Sequence, residues 1–251
     1  MSIAGKVAIV SGAAAGLGRG FAERLVSEGC DVLGFDINQD VTDIPGVTGE
    51  IADVSKREDV ERVVEKAAAM GEIAVLVNNA GSWKKTPVTS SWIEALSDWD
   101  FIMDTNLKGV LMLSRAVIPH LKSGGGHIIN LSSYYVLPAK SDGTNPEDTD
   151  LYNASKWALN GFTDGWAKYL AKDGITVNGL CMGATDSPML RGLFPDGKLP
   201  PELGAVMQPE DIAGQMMDLI NSGRTGENIG AWVGHPVTIG EVPPLHRRIT
   251  G

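Results

Sequence analysis

Short runs of aliphatic and β-branched residues alternate along the chain with longer stretches whose apolar positions recur every three or four residues. The short runs lie at 6–10 (KVAIV), 31–36, 47–54, 73–81, 127–133, 175–181 and 228–234. They read as strands, and nearly continuous apolar runs such as IAVLV point to strands buried on both faces. The longer stretches run from 17 to a stop at Gly29, over 57–71, roughly 97–122, about 150–172 and 209–223. They read as helices, with Pro209 suited to a first helical turn. Strand–helix alternation of this kind predicts an α/β fold: a doubly wound, mostly parallel seven-stranded sheet of Rossmann type, helices on both faces. No linker, low-complexity tract or fixed-period repeat interrupts it, so residues 1–251 read as a single domain. The irregular stretches 82–96, 134–149 and 183–208 follow the fourth, fifth and sixth strands. Ligands of open parallel sheets bind beyond the carboxyl ends of the strands, so substrate is expected there, with 183–208 as the substrate loop. The tail at 235–251 has no assignment.

Composition narrows the function classes. The chain is 43% hydrophobic and 21% charged, with a net charge of −10. That balance is ordinary for a globular enzyme and argues against nucleic acid as a partner. No apolar run approaches the ~18 residues needed to cross a membrane. The N-terminus passes straight into a strand without a leader-like segment, so a cytoplasmic location is expected. Cys30 and Cys181 each adjoin apolar runs and read as buried free thiols in a reducing compartment. Neither they nor the four histidines fall at metal-ligand spacing, so no metal site is expected.

The first chemistry-bearing motif is SGAAAGLG at 11–18, between a strand and a helix. Gly12, Gly16 and Gly18 permit a tight turn and let backbone N–H groups approach a pyrophosphate, with the positive end of the helix dipole behind them. Ala15 and Leu17 complete the turn. Asp36 closes the second strand 18 residues after Gly18. An acid in that place accepts hydrogen bonds from ribose hydroxyls and repels a 2′-phosphate. Neither Ala15 nor Ile37 supplies a compensating cation, although Arg19 is within reach. The expected cofactor is NAD, with NADP disfavoured.

A second motif, LYNASK, sets Tyr152 and Lys156 one helical turn apart. Taken alone, such a pair is common on solvated helices. Together with SGAAAGLG, ADV at 52–54, NNAG at 78–81, Asn106 in DTNLKG, INLSS at 129–133 and ITVNGLCMG, it makes the chain resemble the short-chain dehydrogenases/reductases from end to end. The resemblance implies that Tyr152 is the acid/base, Lys156 its partner and a holder of the nicotinamide ribose, Ser133 the anchor of the substrate oxygen, and Asn106 the holder of a relay water. It also implies cofactor contacts from Asp53, Val54, Asn79, Ala80, Gly81, Gly183 and Ser187. A phenol normally loses its proton near pH ~10. A neighbouring ammonium and a positive nicotinamide are expected to favour phenolate.

The sequence departs from the family pattern in three places. Ser133 and Tyr152 stand 19 positions apart, with the polar stretch 140–150 between them; Met182-Gly183 replaces Pro-Gly; and the C-terminal end differs. The expected substrate wall is Trp83, Tyr134, Tyr135, Leu137, Met182, Met189, Leu190, Leu193 and Phe194, with Arg191 the nearest cation. An apolar, aromatic wall predicts a hydrophobic secondary alcohol, alicyclic, terpenoid or aryl, interconverted with its ketone. A reductase of acyl-carrier-protein thioesters and a non-enzymatic NAD(H)-sensing regulator are the alternatives. Family resemblance implies a homodimer or homotetramer.

Overall fold

The computed structural model of the protein describes residues 2–136, 147–232 and 235–236. Its strands are β1 (Val7–Ser11), β2 (Asp31–Asp36), β3 (Val47–Ile51), β4 (Ile73–Asn78), β5 (Gly126–Ser133), β6 (Ile175–Met182), β7 (Asn228–Trp232) and β8 (His235–Pro236). Its α-helices are α1 (Gly16–Ser27), α2 (Arg57–Met70), α3 (Trp92–Met103), α4 (Val110–Leu121), α5 (Asp150–Leu170), α6 (Pro188–Arg191) and α7 (Pro209–Ser222). The strands form one sheet in the order β3-β2-β1-β4-β5-β6-β7-β8. The first seven pair in parallel, and β8 adds a two-residue antiparallel edge to β7. The doubly wound α/β expectation holds, with β8 as an addition. Leu137 and most of the expected tail lie outside the described residues.

The two-residue period of the strands divides the core. In β1, Ala8 and Val10 face Phe21, Leu25, Ile212 and Met216 of α1 and α7. Val7 and Ile9 face the other way, onto Val60, Val63, Leu113 and Val117 of α2 and α4. Burying each large side chain contributes about 1.5–3 kcal/mol, which is why the all-apolar strands end up central. The strand order reverses between β1 and β4, so a crevice opens at their carboxyl ends.

Several boundaries differ from the sequence expectation, three of them with a clear cause. The helix expected near 97 starts at Trp92, where Ser91 and Glu94 form a reciprocal capping box: Ser91 N–H donates to Glu94 Oε2 (3.0 Å) and Glu94 N–H to Ser91 Oγ (3.3 Å). It does not run unbroken to 122; a π-helical segment, Asp104–Gly109, separates α3 from α4. The third strand stops at Ile51 instead of 54, because Asp53 Oδ1 accepts from Ser55 N–H (2.9 Å) and turns the chain.

One buried group makes stability depend on pH. His127 in β5 is 4% exposed; its Nδ1 pairs with Thr176 Oγ1 at 2.8 Å and its Nε2 has no partner among the described residues. Burial pushes the imidazole down to about 4. The folded state therefore holds it neutral, while the unfolded chain takes up a proton near pH ~6.5. This contribution is complete above pH ~6.5 and is lost as pH falls towards 4. Between pH 7.5 and 5 the loss is expected to be about 2 kcal/mol. Urea denaturation at the two pH values should show that loss in the wild type and a smaller one in His127→Gln. Equal losses would assign the acid sensitivity elsewhere.

Candidate active site

The cofactor end is built from the turns after β1 and β4. Gly12 and Gly16 adopt positive φ (67° and 54°), which a side chain resists. A Cβ on Gly18 would collide with the Gly12 carbonyl oxygen, so only glycine allows α1 to pack so closely on the turn. Ser11 Oγ accepts from the N–H groups of Asn79 and Ala80 (3.0 Å each), and Asn79 Nδ2 donates to the carbonyls of Ser11 (2.9 Å) and Gly12 (3.0 Å). The two turns are thereby locked together at the crevice. Helix α1 has Ala15 at its N-cap, with no side-chain cap bond and no acid in its first turn. Its first N–H groups and partial positive charge are left for a ligand. Asp36 accepts from Ala14 N–H (3.1 Å) and Asn38 N–H (3.0 Å), which aims its carboxylate across the crevice while leaving lone pairs available. Arg19 is turned away from it, onto Glu23 at 2.8 Å. A backbone cradle that only glycine permits, beside an acid that forms no ion pair among the described residues, fits a dinucleotide.

The reacting end joins β5, α5 and the π-helical segment. Ser133 ends β5, and its Oγ accepts from Tyr135 N–H at 3.3 Å. The Ser133 hydroxyl also acts on the Tyr152 phenol in the direction that favours phenolate. Lys156 Nζ donates to Leu131 O at 2.8 Å and stands 5.6 Å from the centroid of the Tyr152 ring. Burial is the largest influence on both groups, ahead of the Ser133 hydroxyl at the phenol. Tyr152 is pushed up to about 12, and Lys156 itself down to about 8. Burial likewise raises Cys181, packed beside Lys156, to about 12 and Cys30 to about 11. Both thiols are free and buried.

Asn106 occupies the π-helical segment, a distortion that recurs at functional sites. Its Oδ1 accepts from Ser82 N–H (2.7 Å), and its Nδ2 donates to Ser82 O (3.0 Å) and Ser155 Oγ (3.1 Å). Ser155 Oγ in turn donates to Tyr152 O (2.7 Å). The Asn106 side chain thus ties the loop after β4 to α5 from behind the cavity wall.

A cavity of about 830 Å³ connects the two ends. Every described residue expected to bind cofactor or substrate lines it, from Gly12 and Asp36 through Ser133 and Tyr152 to Trp83, Met189, Leu193 and Phe194; Asn106 does not. Asp100, Phe101, Asp104, Thr105 and Leu203 also line it, although the sequence reading did not single them out. The first four reach the cavity because α3 and the π-helical segment fold across it. The S-x-x-E signature at Ser91–Glu94 marks where that helix starts, but nothing local marks where it points. Tyr134 and Tyr135 pack ring to ring at 4.5 Å and form wall, with Tyr135 held above the ordinary phenol range by burial. Four cations beside the cavity are paired: Lys84 with Asp98, Lys85 with Asp148 (2.8 Å), Lys108 with Asp104 (3.2 Å) and Arg191 with Asp186 (2.6 Å). Among the described residues no group of three or more His, Cys, Asp or Glu is placed to hold a metal, and no helix is long and apolar enough to cross a membrane.

A family profile described as short chain dehydrogenase matches residues 6–198. A 3-oxoacyl-[acyl-carrier-protein] reductase of Thermotoga maritima is 33% identical over 251 aligned positions, which cover 92% of this chain and 97% of that protein. Among solved structures, a 3-ketoacyl-(acyl-carrier-protein) reductase from Brucella melitensis complexed with NADH superposes with a TM-score of 0.79 at 28% identity, covering 94% of this chain and all of that one. A candidate NAD(P)-dependent gluconate 5-dehydrogenase from Beutenbergia cavernae, with NADP bound at low occupancy, gives 0.80 at 26%, covering 91% and 96%. Its Rossmann-type sheet, its glycine cradle and these matches place the chain in the short-chain dehydrogenase/reductase family of NAD(P)-binding oxidoreductases.

Proposed function

We propose that the protein is an NAD-dependent oxidoreductase that interconverts a hydrophobic secondary alcohol and its ketone, with Tyr152 as the proton-transfer group. The observation that carries this reading is the single cavity running from the glycine cradle and Asp36 to the Ser133–Tyr152–Lys156 group, walled by Trp83, Tyr134, Met189, Leu190 and Leu193.

The first-turn N–H groups of α1 would hold the pyrophosphate, Asp36 and Ile37 the adenosine ribose, Asp53 and Val54 the adenine, and Lys156, Gly183 and Ser187 the nicotinamide end. When bound, NAD accepts the hydride from the alcohol carbon or returns it to the ketone. Ser133 donates a hydrogen bond to the substrate oxygen, where negative charge grows in the transition state. Tyr152 takes the alcohol proton in oxidation and gives it back in reduction. Lys156, 5.6 Å from the phenol ring, contributes positive charge that favours phenolate once the ammonium is charged.

The Asp36 carboxylate, with Arg19 committed to Glu23, supports NAD over NADP. Asp36→Ala is expected to raise the NADP-to-NAD ratio of kcat/KM at least about tenfold, the repulsion of a phosphate dianion being removed (about 1.4 kcal/mol per tenfold). An unchanged ratio would count against this assignment.

Similarity to acyl-carrier-protein reductases favours a second reading, reduction of a carrier-bound 3-oxoacyl thioester. An acidic carrier needs unpaired cations at the mouth, and Lys84, Lys85, Lys108 and Arg191 each already face a carboxylate. That pairing and the net charge of −10 support the small hydrophobic substrate. Steady-state assays with NAD⁺ and a panel of cyclic, terpenoid and aryl alcohols, set against a 3-oxoacyl carrier thioester with NADH and NADPH, decide between them. Preference for the thioester, or for hydroxy acids or sugars, would reject the alcohol reading.

Self-association is part of the proposal. Trp92, Ile93, Leu96 and Trp99 make an exposed apolar ridge on α3, larger than isolated surface residues explain. A cytoplasmic location also belongs to the proposal.

A further inference from the structure

Helix α5 carries both Tyr152 and Lys156 near its start, so the first turn of α5 decides where the phenol sits. The chain does not hold that turn in place by connectivity alone, since 19 positions separate Tyr152 from Ser133. A long connection restrains its ends only weakly. Nor does the N-cap residue Thr149 close the helix with a side-chain cap bond.

The structure shows what occupies that place. Thr86, in the loop after β4, is 2% exposed and lies against the start of α5. Its Oγ1 donates to Asp150 Oδ1 (2.6 Å) and accepts from Leu151 N–H (3.4 Å). Its own N–H donates to Asp148 O (2.6 Å), and it bridges in parallel to Thr149. Leu151 N–H also reaches Asp150 Oδ1 at 2.7 Å, so Thr86, Asp150 and the orphan first-turn donor form one closed set. The neighbouring Lys85–Asp148 pair belongs to the same junction, but its lysine is 70% exposed and adds little.

Three residues before Thr86 stands Trp83, part of the cavity wall. We propose that Thr86 is a positioning residue: a cap supplied from another segment of the chain, which fixes the first turn of α5 and registers the Trp83 wall against Tyr152. The inference rests on the reading of Tyr152 as the proton-transfer group. Displacing a reacting group by about 1 Å can cost a hundredfold in rate, so a cap bond acting at this point has leverage beyond its own strength.

Thr86→Val keeps the shape and removes the hydroxyl; Thr86→Ser keeps the hydroxyl. In Thr86→Val, kcat is expected to fall about tenfold, with the dissociation constant for NADH, read by fluorescence, within twofold of wild type. The Leu151 amide should exchange with solvent about tenfold faster, because it loses one acceptor and its other acceptor, Asp150 Oδ1, loses the hydroxyl that holds it in place. Thr86→Ser and Lys85→Ala should stay within twofold on every readout. Wild-type kcat in Thr86→Val despite lost Leu151 protection overturns the positioning role. Equal impairment in Thr86→Ser overturns the hydroxyl's part in it. Full turnover by Tyr152→Phe overturns the underlying reading instead, while Leu151 exchange still decides whether Thr86 caps α5. Should Thr86→Val fail to fold, Asp150→Asn, an exposed change in the same hydrogen-bonded set, is read by the same criteria.

Discussion

Tyr152→Phe is expected to reduce kcat by about a hundred- to ten-thousandfold while leaving NADH affinity within a few-fold of wild type. A positioned acid/base contributes on that scale, and removing one oxygen leaves the ring's packing intact. The wild-type oxidation rate should rise with pH over the range in which the phenol ionises. Burial holds that ionisation up at about 12, with the Ser133 hydroxyl working against it. The residual rate of Tyr152→Phe should lack that rise, because no group remains to exchange the proton. Stopped-flow hydride transfer with the best alcohol of the panel, measured from pH 6 to 10, tests both points. A variant that keeps a tenth or more of wild-type turnover would remove Tyr152 from the chemistry. A full loss of NADH binding would move its role to the cofactor.

Gly18→Ala is expected to weaken NADH binding at least about a hundredfold, equivalent to about 2.7 kcal/mol. The added methyl would overlap the Gly12 carbonyl oxygen and crowd Asn79 Nδ2, and neither can yield independently. Gly12 holds positive φ, and Asn79 bonds the carbonyls of both Ser11 and Gly12. Relief therefore shifts the whole turn whose N–H groups are proposed to hold the pyrophosphate. Gly165→Ala on α5 is the matching control. Nothing lies within 4 Å of its added Cβ, so binding should be unchanged and stability should rise by about 0.5–1 kcal/mol. Calorimetric titration with NADH alongside thermal melts separates the two outcomes. Binding by Gly18→Ala equal to that of Gly165→Ala would mean that the turn does not hold the pyrophosphate.

Much of the site can be read without coordinates because its parts are local. The glycine turn, the strand-end acid and the Tyr152/Lys156 spacing each lie within one strand–turn–helix unit or one helical turn. Backbone geometry then dictates where they point. The contribution of α3 was not legible. The capping box at Ser91 and Glu94 announces a helix, but the direction that brings Asp100, Phe101 and Thr105 to the cavity depends on its packing against α5 and on the π-helical break. Nor did the residue pattern reveal the sign of the Tyr152 shift. A lysine one turn away argues for a lowered pKa, whereas burial, a property of the whole enclosure, raises it.

By itself the sequence determined the strand–helix alternation, the seven parallel strands and the cofactor cradle, since hydrophobic period and turn chemistry act over a few residues. Only the tertiary structure decided that Asn106 faces Ser82 and Ser155 rather than the cavity, that four cations beside the cavity are paired with acids, and that Thr86 meets the first turn of α5. The Asn106 and Thr86 contacts join residues 24 to 65 positions apart, and such contacts are selected by the packing of the whole core.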